Sequence, residues 1–229
     1  MARRKHSKIR VPPGHHHHVA DGLVRHLLMQ GFTAEEILAS GLAELRPDGR
    51  LVDRIVDSTV LPIRDQQEEI IGFVGMPDRC RTTEKVFLPT LFDTGVALYW
   101  PIGWAKPNEV IVVVQRAVDA LAVASALAST GDKDDEWRIV PVSPLDLHVS
   151  GAQWSAIAAT KPLLVLIGPD SNGLGQDGAH EWLAQARSHG LEACPVNWGN
   201  ALHPAELMRQ SRKEELLTVL STSLNKQRS

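Results

Sequence analysis

After Pro107 the chain alternates between short apolar runs and helical patterns. The runs are VIVVV (110–114), RIVPV (138–142), LLVLI (163–167) and EACPV (192–196). Helical patterns follow over Ala117–Ser129, around Gly151–Ala159, over Gln176–His189 and from Pro204 onward. An unbroken β-branched run without polar alternation needs cover on both faces. Strands of that kind, separated by helices, predict an α/β domain with a parallel sheet flanked by helices. Ligands of open α/β sheets collect beyond the carboxyl ends of the strands. Three stretches occupy such places: QRAVD with Gln115 and Asp119, GPDSNG with Gly168, Asp170, Asn172 and Gly173, and NWGNALHPAEL with His203 and Glu206.

The region before Pro107 has a different texture. Val19, Leu23, Val24, Leu27 and Leu28 recur at helical spacing and Gly31 ends the helix. Thr33 and Glu36 form a capping-box pattern for a second, short helix that stops before Gly41. Asp48-Gly49 signals a turn, and Thr59–Arg64 and Ile70–Gly75 read as strands joined by a polar turn. We therefore divide the chain into a disordered basic and His-rich arm (1–18), a small α+β region (19–106), the α/β domain (107–210) and a C-terminal helix and tail (211–229) whose last residues, SLNKQRS, are expected to fray. The run His15–His18 is read as without function.

With 229 residues and 43% hydrophobic content, the chain can bury one substantial core. No apolar run is long enough for a membrane span, so no membrane partner is expected. Cys80 and Cys194 form neither a zinc motif nor a disulfide framework, which suits a reducing, cytoplasmic setting. Net charge is −3, yet Arg3, Arg4, Lys5, Lys8 and Arg10 place five positive charges in the first ten residues. The remainder thus carries about −8, which argues against a broad basic groove. The arm reads either as a phosphate grip or as a solubilising tail.

Five stretches in order, from Asp53 to Leu207, resemble the catalytic core of bacterial DnaG-type primases, which is centred on a Toprim fold. DRIVDSTVLPIRD with IIGFVG is similar to D-R-F-x-x-R-x-x-F-P-I-R-D followed by V-I-G-F-x-G. EKVFLPTLFDTGVALYW is similar to a shortened K-Y-L-N-S-P-x-T-x-x-F-x-K-G-x-x-L-Y-G. VVVQRAVDALA resembles V-V-E-G-x-x-D-V-I-A, LVLIGPDSNG resembles V-x-L-x-F-D-G-D-x-A-G, and GNALHPAELMR resembles G-x-D-P-D-E-x-L-R. The implied fold is a Toprim-like parallel sheet preceded by a small α+β primase-like subdomain. The family's Glu falls on Gln115 and its neighbouring Gly on Arg116. The first Asp of D-x-D falls on Gly168, its middle Gly on Pro169, and the Asp of G-x-D-P on His203. An Arg of the early motif falls on Ser58. Asp119 and Asp170 keep acids, and Gly173 keeps its glycine.

The family's chemistry uses these acids for proton handling and for divalent metal, so the resemblance implies a degenerate site. Gln115 cannot act as a general base. Asp119 and Asp170 are too few for a pair of Mg²⁺ ions unless Asp177 or Asp65 is recruited. Asp119 reads equally as a helix-dipole acid, Asp170 as a turn residue and His203 as a loop residue. No Cys/His cluster with zinc-ligand spacing precedes the core, and no sizeable helicase-binding region follows it. The favoured reading is a catalytically degenerate primase-like protein that binds DNA or RNA, single-stranded by preference, or a replication or mobile-element protein. Arg3, Arg4, Lys5, Arg54, Arg64, Lys85 and Arg116 are the expected phosphate contacts. No cofactor is then needed. The alternatives are an active, divergent primase using Mg²⁺ or Mn²⁺, and a protein-interaction module. Six scattered tryptophans are expected in packing or at a rim, with an exposed subset available for stacking.

Overall fold

A computed structural model describes residues 14–16, 21–77, 84–89, 92, 94–129 and 138–226. Two compact units emerge, one formed by the described residues up to Pro62 with those of 70–92, the other by 63–69 and the described residues from Thr94 onward.

The first unit contains β1 (Gly14–His16), α1 (Gly22–Met29), α2 (Ala34–Ala39), β2 (Ala43–Leu45), β3 (Leu51–Asp53), β4 (Ser58–Arg64, which runs into the second unit), β5 (Ile70–Pro77) and β6 (Lys85–Phe87). Thr33 and Glu36 close the capping box at the start of α2, as their spacing predicts. At α1, the N-cap Asp21 makes no side-chain cap. The buried Asp53 reaches across instead and accepts from Leu23 N and Val24 N, both at 2.8 Å. β4 and β5 are neighbours in the sheet order β1-β4-β5-β6, and the turn between them closes with Asp65 N donating to Glu69 O. Gly14, His15 and His16, expected within a disordered arm, instead pair antiparallel with Val60, Thr59 and Ser58. The open edge of β4 presents backbone groups that need partners, and a neighbouring segment of chain supplies them.

The second unit carries the predicted alternation. β7 (Val110–Val114), α3 (Ala117–Ala128), β8 (Ile139–Val142), α4 (Gly151–Ala159), β9 (Leu164–Gly168), α5 (Gly173–Ser188) and β10 (Ala193–Pro195) follow in turn, then α6 (Pro204–Arg209) and α7 (Lys213–Asn225). All pairings in the sheet are parallel and the order is β10-β9-β7-β8. Every residue of β7 and β9 is buried, which is why neither strand shows polar alternation. Ile111 and Val113 face a cluster with Val165, Ile167, Trp154 of α4 and Trp182 of α5. α3 contacts α6 and α7, which places it on the opposite face. Right-handed crossovers require this arrangement, because the chain moves one way from β7 to β8 and the other way from β8 through β9 to β10. Each fully buried Val or Ile contributes about 1.5–3 kcal/mol, so this sheet is the stable platform for what stands at its ends. α7 extends through Ser223 to Asn225, further than the frayed end expected for SLNKQRS, with the buried Leu216 and Leu220 as its anchors.

Candidate functional site

Strand order brings together two of the three stretches that the sequence separates. The chain leaves β7 toward β8 on one side and returns to β9 on the other, so β7 and β9 flank the topological switch point where open α/β sheets bind ligands. Val114 pairs with Gly168, and the two strands end level. Gln115 and Arg116 leave one strand as Pro169 and Asp170 leave the other. The third stretch joins them through His203.

Asp119 is the hub. It lies three residues into α3 and is fully buried. Its Oδ2 accepts from Arg116 Nε at 2.9 Å. Its Oδ1 takes His203 Nδ1 at 2.9 Å and Ala205 N at 3.0 Å. A carboxylate on α3 therefore caps the first turn of α6 and ties the two helices together. His203 is the N-cap of α6, and its Nδ1 also lies 3.2 Å from Glu206 N. Nδ1 cannot donate and accept at once. Glu206 N already reaches His203 O at 3.1 Å, whereas Asp119 offers a charge-assisted bond, so Nδ1 carries the proton and donates to Asp119.

Arg116 spans the two surviving acids. Beyond its bond to Asp119, its Nη2 lies 3.6 Å from Asp170 Oδ1. Both of those atoms are buried without a hydrogen-bond partner. Burial pushes the Asp170 carboxyl above its ordinary value, the Arg116 charge opposes that shift, the Asp119 charge adds to it and His203 opposes it. Gln115 contributes its carbonyl, which accepts from Ser143 Oγ at 2.9 Å.

The end of β9 is built differently. A Cβ on Gly168 would lie 2.4 Å from Cζ2 of Trp198. The indole is fully buried, and its Nε1 is shared between Gly168 O at 3.1 Å and Pro169 O at 3.2 Å. The volume that any side chain at 168 would enter is therefore occupied by an aromatic ring. Beyond Pro169, Asn172 caps α5 by accepting from Gly175 N at 2.8 Å. A Cβ on Gly175 would meet Asp170 O at 1.8 Å, so this first turn of α5 closes only on glycine.

These residues do not fit a divalent metal. Hard cations take several oxygen ligands, preferably charged. Both Asp119 oxygens are engaged by internal donors, and Asp170 faces a guanidinium. Of the two acids named for recruitment, Asp65 Oδ1 accepts from Gln67 N and Glu69 N in its own turn, and Asp177 is exposed on α5. Among the described residues no group of three or more His, Cys, Asp or Glu is placed to hold a metal ion.

The residues expected to contact phosphate belong to different elements. Arg3, Arg4 and Lys5 lie outside the described residues. Arg54 donates to Gly41 O at 2.9 Å and stands over the Phe87 ring at 5.3 Å. Arg64 donates to Glu68 O at 2.7 Å, and Lys85 is exposed on β6. Arg116 is drawn into the acid cluster, with its side chain only 17% exposed. His203, expected as a loop residue, stands at the N-cap position just before α6 and bonds Asp119. Trp100, Trp154, Trp182 and Trp198 are buried and Trp104 is packed against the core, so among the described residues no tryptophan is left exposed for stacking. Trp137 lies outside the described residues. Sequence reasoning misses the Trp198 plug, which only tertiary structure reveals. It also misses the internal role of Arg116, although the spacing to Asp119, three apart on a helix, is a usable signal.

No protein-family profile matches the sequence, and no curated protein matches it. Solved structures do match. The Aquifex aeolicus primase, comprising zinc-binding and RNA polymerase domains, aligns with TM-score 0.73 at 21% identity over 92% of this chain and 50% of its own. A DnaG primase catalytic domain bound to ssDNA aligns with TM-score 0.71 at 20% identity, over 93% and 64%. The RNA polymerase domain of Mycobacterium tuberculosis primase DnaG aligns with TM-score 0.72 at 18% identity, over 91% and 68%. The chain thus spans half to about two thirds of the length of these structures, at identities that carry the fold alone. Its fold is that of the DnaG-type primase catalytic core, with a Toprim-like parallel sheet at the centre.

Proposed function

We propose that this chain uses the primase-core fold to bind single-stranded nucleic acid and does not carry out phosphoryl transfer. The observation that carries this reading is that the switch-point crevice offers no uncommitted carboxylate pair. Gln115 is an amide, the space beside Gly168 is filled by Trp198, and Asp119 has internal donors on both oxygens. A two-metal displacement needs ions that clamp the attacking and leaving oxygens, and acids already committed to internal partners are poor ligands for such a pair. Structures of this fold have been solved with ssDNA and with double-stranded DNA, which supports a nucleic-acid partner. Arg3, Arg4, Lys5, Arg54, Arg64 and Lys85 are the proposed phosphate contacts; Arg116 leaves that set because of its two acidic partners.

Fluorescence anisotropy with single-stranded oligonucleotides across a salt series tests the binding. The expected affinity falls with salt, and replacing Arg3, Arg4 and Lys5 by Ala flattens the log–log slope by about 2. Absence of binding at low salt overturns this part. A protein-interaction module is the second reading, favoured by Leu28, Met29 and Phe32, which are 46%, 78% and 49% exposed around the end of α1.

A further inference from the structure

We infer that Arg116 is a built-in cation that holds Asp119 and Asp170 in place of a divalent ion, and that removing it uncovers an oxygen-ligand cation site. The inference concerns the electrostatics of the crevice and stands whether or not the chain binds nucleic acid. Asp119 is fully buried, and Asp170 is 13% exposed. Two carboxylates so enclosed repel one another and need a positive charge between them or a proton on one. Arg116 provides the charge: Nε bonds Asp119 Oδ2 at 2.9 Å, and Nη2 stands 3.6 Å from Asp170 Oδ1.

The second contact distinguishes a substitute from a dedicated partner. A carboxylate built for arginine takes two parallel hydrogen bonds. Here Nη2 and Oδ1 are both buried with no hydrogen-bond partner, so the attraction is Coulombic and the fork does not match. The remaining contacts leave the acids in place when the guanidinium goes. Asp119 Oδ1 still accepts from His203 Nδ1 and Ala205 N. The two oxygens then facing the vacated volume are Asp119 Oδ2 and Asp170 Oδ1, the pair that Arg116 now contacts. Two carboxylate oxygens with room for water suit Mg²⁺, Mn²⁺ or Ca²⁺ rather than a thiophilic metal.

The probe is Mn²⁺, followed by loss of its free-ion paramagnetic resonance signal and by thermal unfolding. Wild type is expected to leave millimolar Mn²⁺ free and to show no shift in Tm. Arg116→Ala is expected to lose on the order of 10 °C, to bind Mn²⁺ saturably and to regain part of that loss. Arg116→Ala combined with Asp170→Asn removes one charge of each sign; it is expected to be more stable than Arg116→Ala alone and not to bind Mn²⁺. Saturable Mn²⁺ binding by wild type overturns the inference, as does a folded Arg116→Ala that binds none. If Arg116→Ala does not fold in the absence of metal, it is refolded with Mn²⁺ present: recovery of folded protein supports the inference and failure overturns it.

Discussion

The ends of β7 and β9 stand side by side in the sheet and have met the same difficulty in opposite ways. Both emerge into a crevice where polar chain must be satisfied without free access to water. At the end of β7 the solution is charge: Asp119 is kept, and Arg116, His203 and Ala205 N surround it. At the end of β9 the solution is removal of the side chain: Gly168 carries none, and the indole of Trp198 packs against the bare backbone and donates to its carbonyls. The first end depends on pairing and the second on shape. A paired charge is sensitive to loss of one partner, whereas a packed ring is sensitive to any change of volume.

Substitutions can break this contrast or sharpen it. The largest effect is expected for Trp198→Ala, which empties a fully buried site and orphans two carbonyls; chemical denaturation should show a loss of about 4 kcal/mol. Gly168→Ala should cost about 1–3 kcal/mol through overpacking against the ring, and almost nothing when made in the Trp198→Ala background. Equal costs in both backgrounds would mean that the ring is not what forbids the side chain. At the other strand end, His203→Ala should cost about 1–2 kcal/mol through loss of a donor to the buried Asp119. His203→Asn should recover roughly half of that, since an Asn side chain accepts from Glu206 N, which a protonated Nδ1 does not, but does not restore the bond to Asp119. Full recovery with Asn would mean that the imidazole bond to Asp119 contributes little.

The smallest effect is a pH dependence at Asp170. Its carboxyl is raised above the ordinary value by burial, against the pull of Arg116. A raised carboxyl binds its proton more tightly in the folded chain than in the unfolded one. Its favourable contribution is therefore complete below the unfolded value and is lost as pH rises through the folded value. Asp170→Asn lacks that loss, so its Tm relative to wild type should climb as pH rises above about 4. A difference that stays flat, or that falls, would contradict the direction of the shift.

Much of the fold is legible in the sequence because burial on two faces leaves an unmistakable mark. VIVVV and LLVLI have no polar alternation, and β7 and β9 lie where those runs predict them, within a residue. The sequence pattern places the start of α5 three residues late: Gly173 and Gly175 are poor helix formers, yet Asn172 caps that turn and Gly175 is held there by the close approach of Asp170 O. Strand order is not legible, since no local pattern tells which strands become neighbours. The meeting of the QRAVD, GPDSNG and ALHPAEL stretches therefore has to come from the structure. Trp198 reads only as a packing residue, and its seat beside Gly168 is set by residues thirty positions apart. Arg116 reads as a surface phosphate contact because its charge is visible in the sequence and its two buried partners are not.

The most direct measurement is de novo primer synthesis on single-stranded DNA templates with ribonucleotides, first with Mg²⁺ and then with Mn²⁺, with template retention monitored in the same reactions. A crevice closed by Trp198 and neutralised by Arg116 predicts retained template and no primer with either ion. Primers that disappear on Asp170→Ala would contradict this, and would mean that Asp170 takes part in phosphoryl transfer despite the guanidinium beside it.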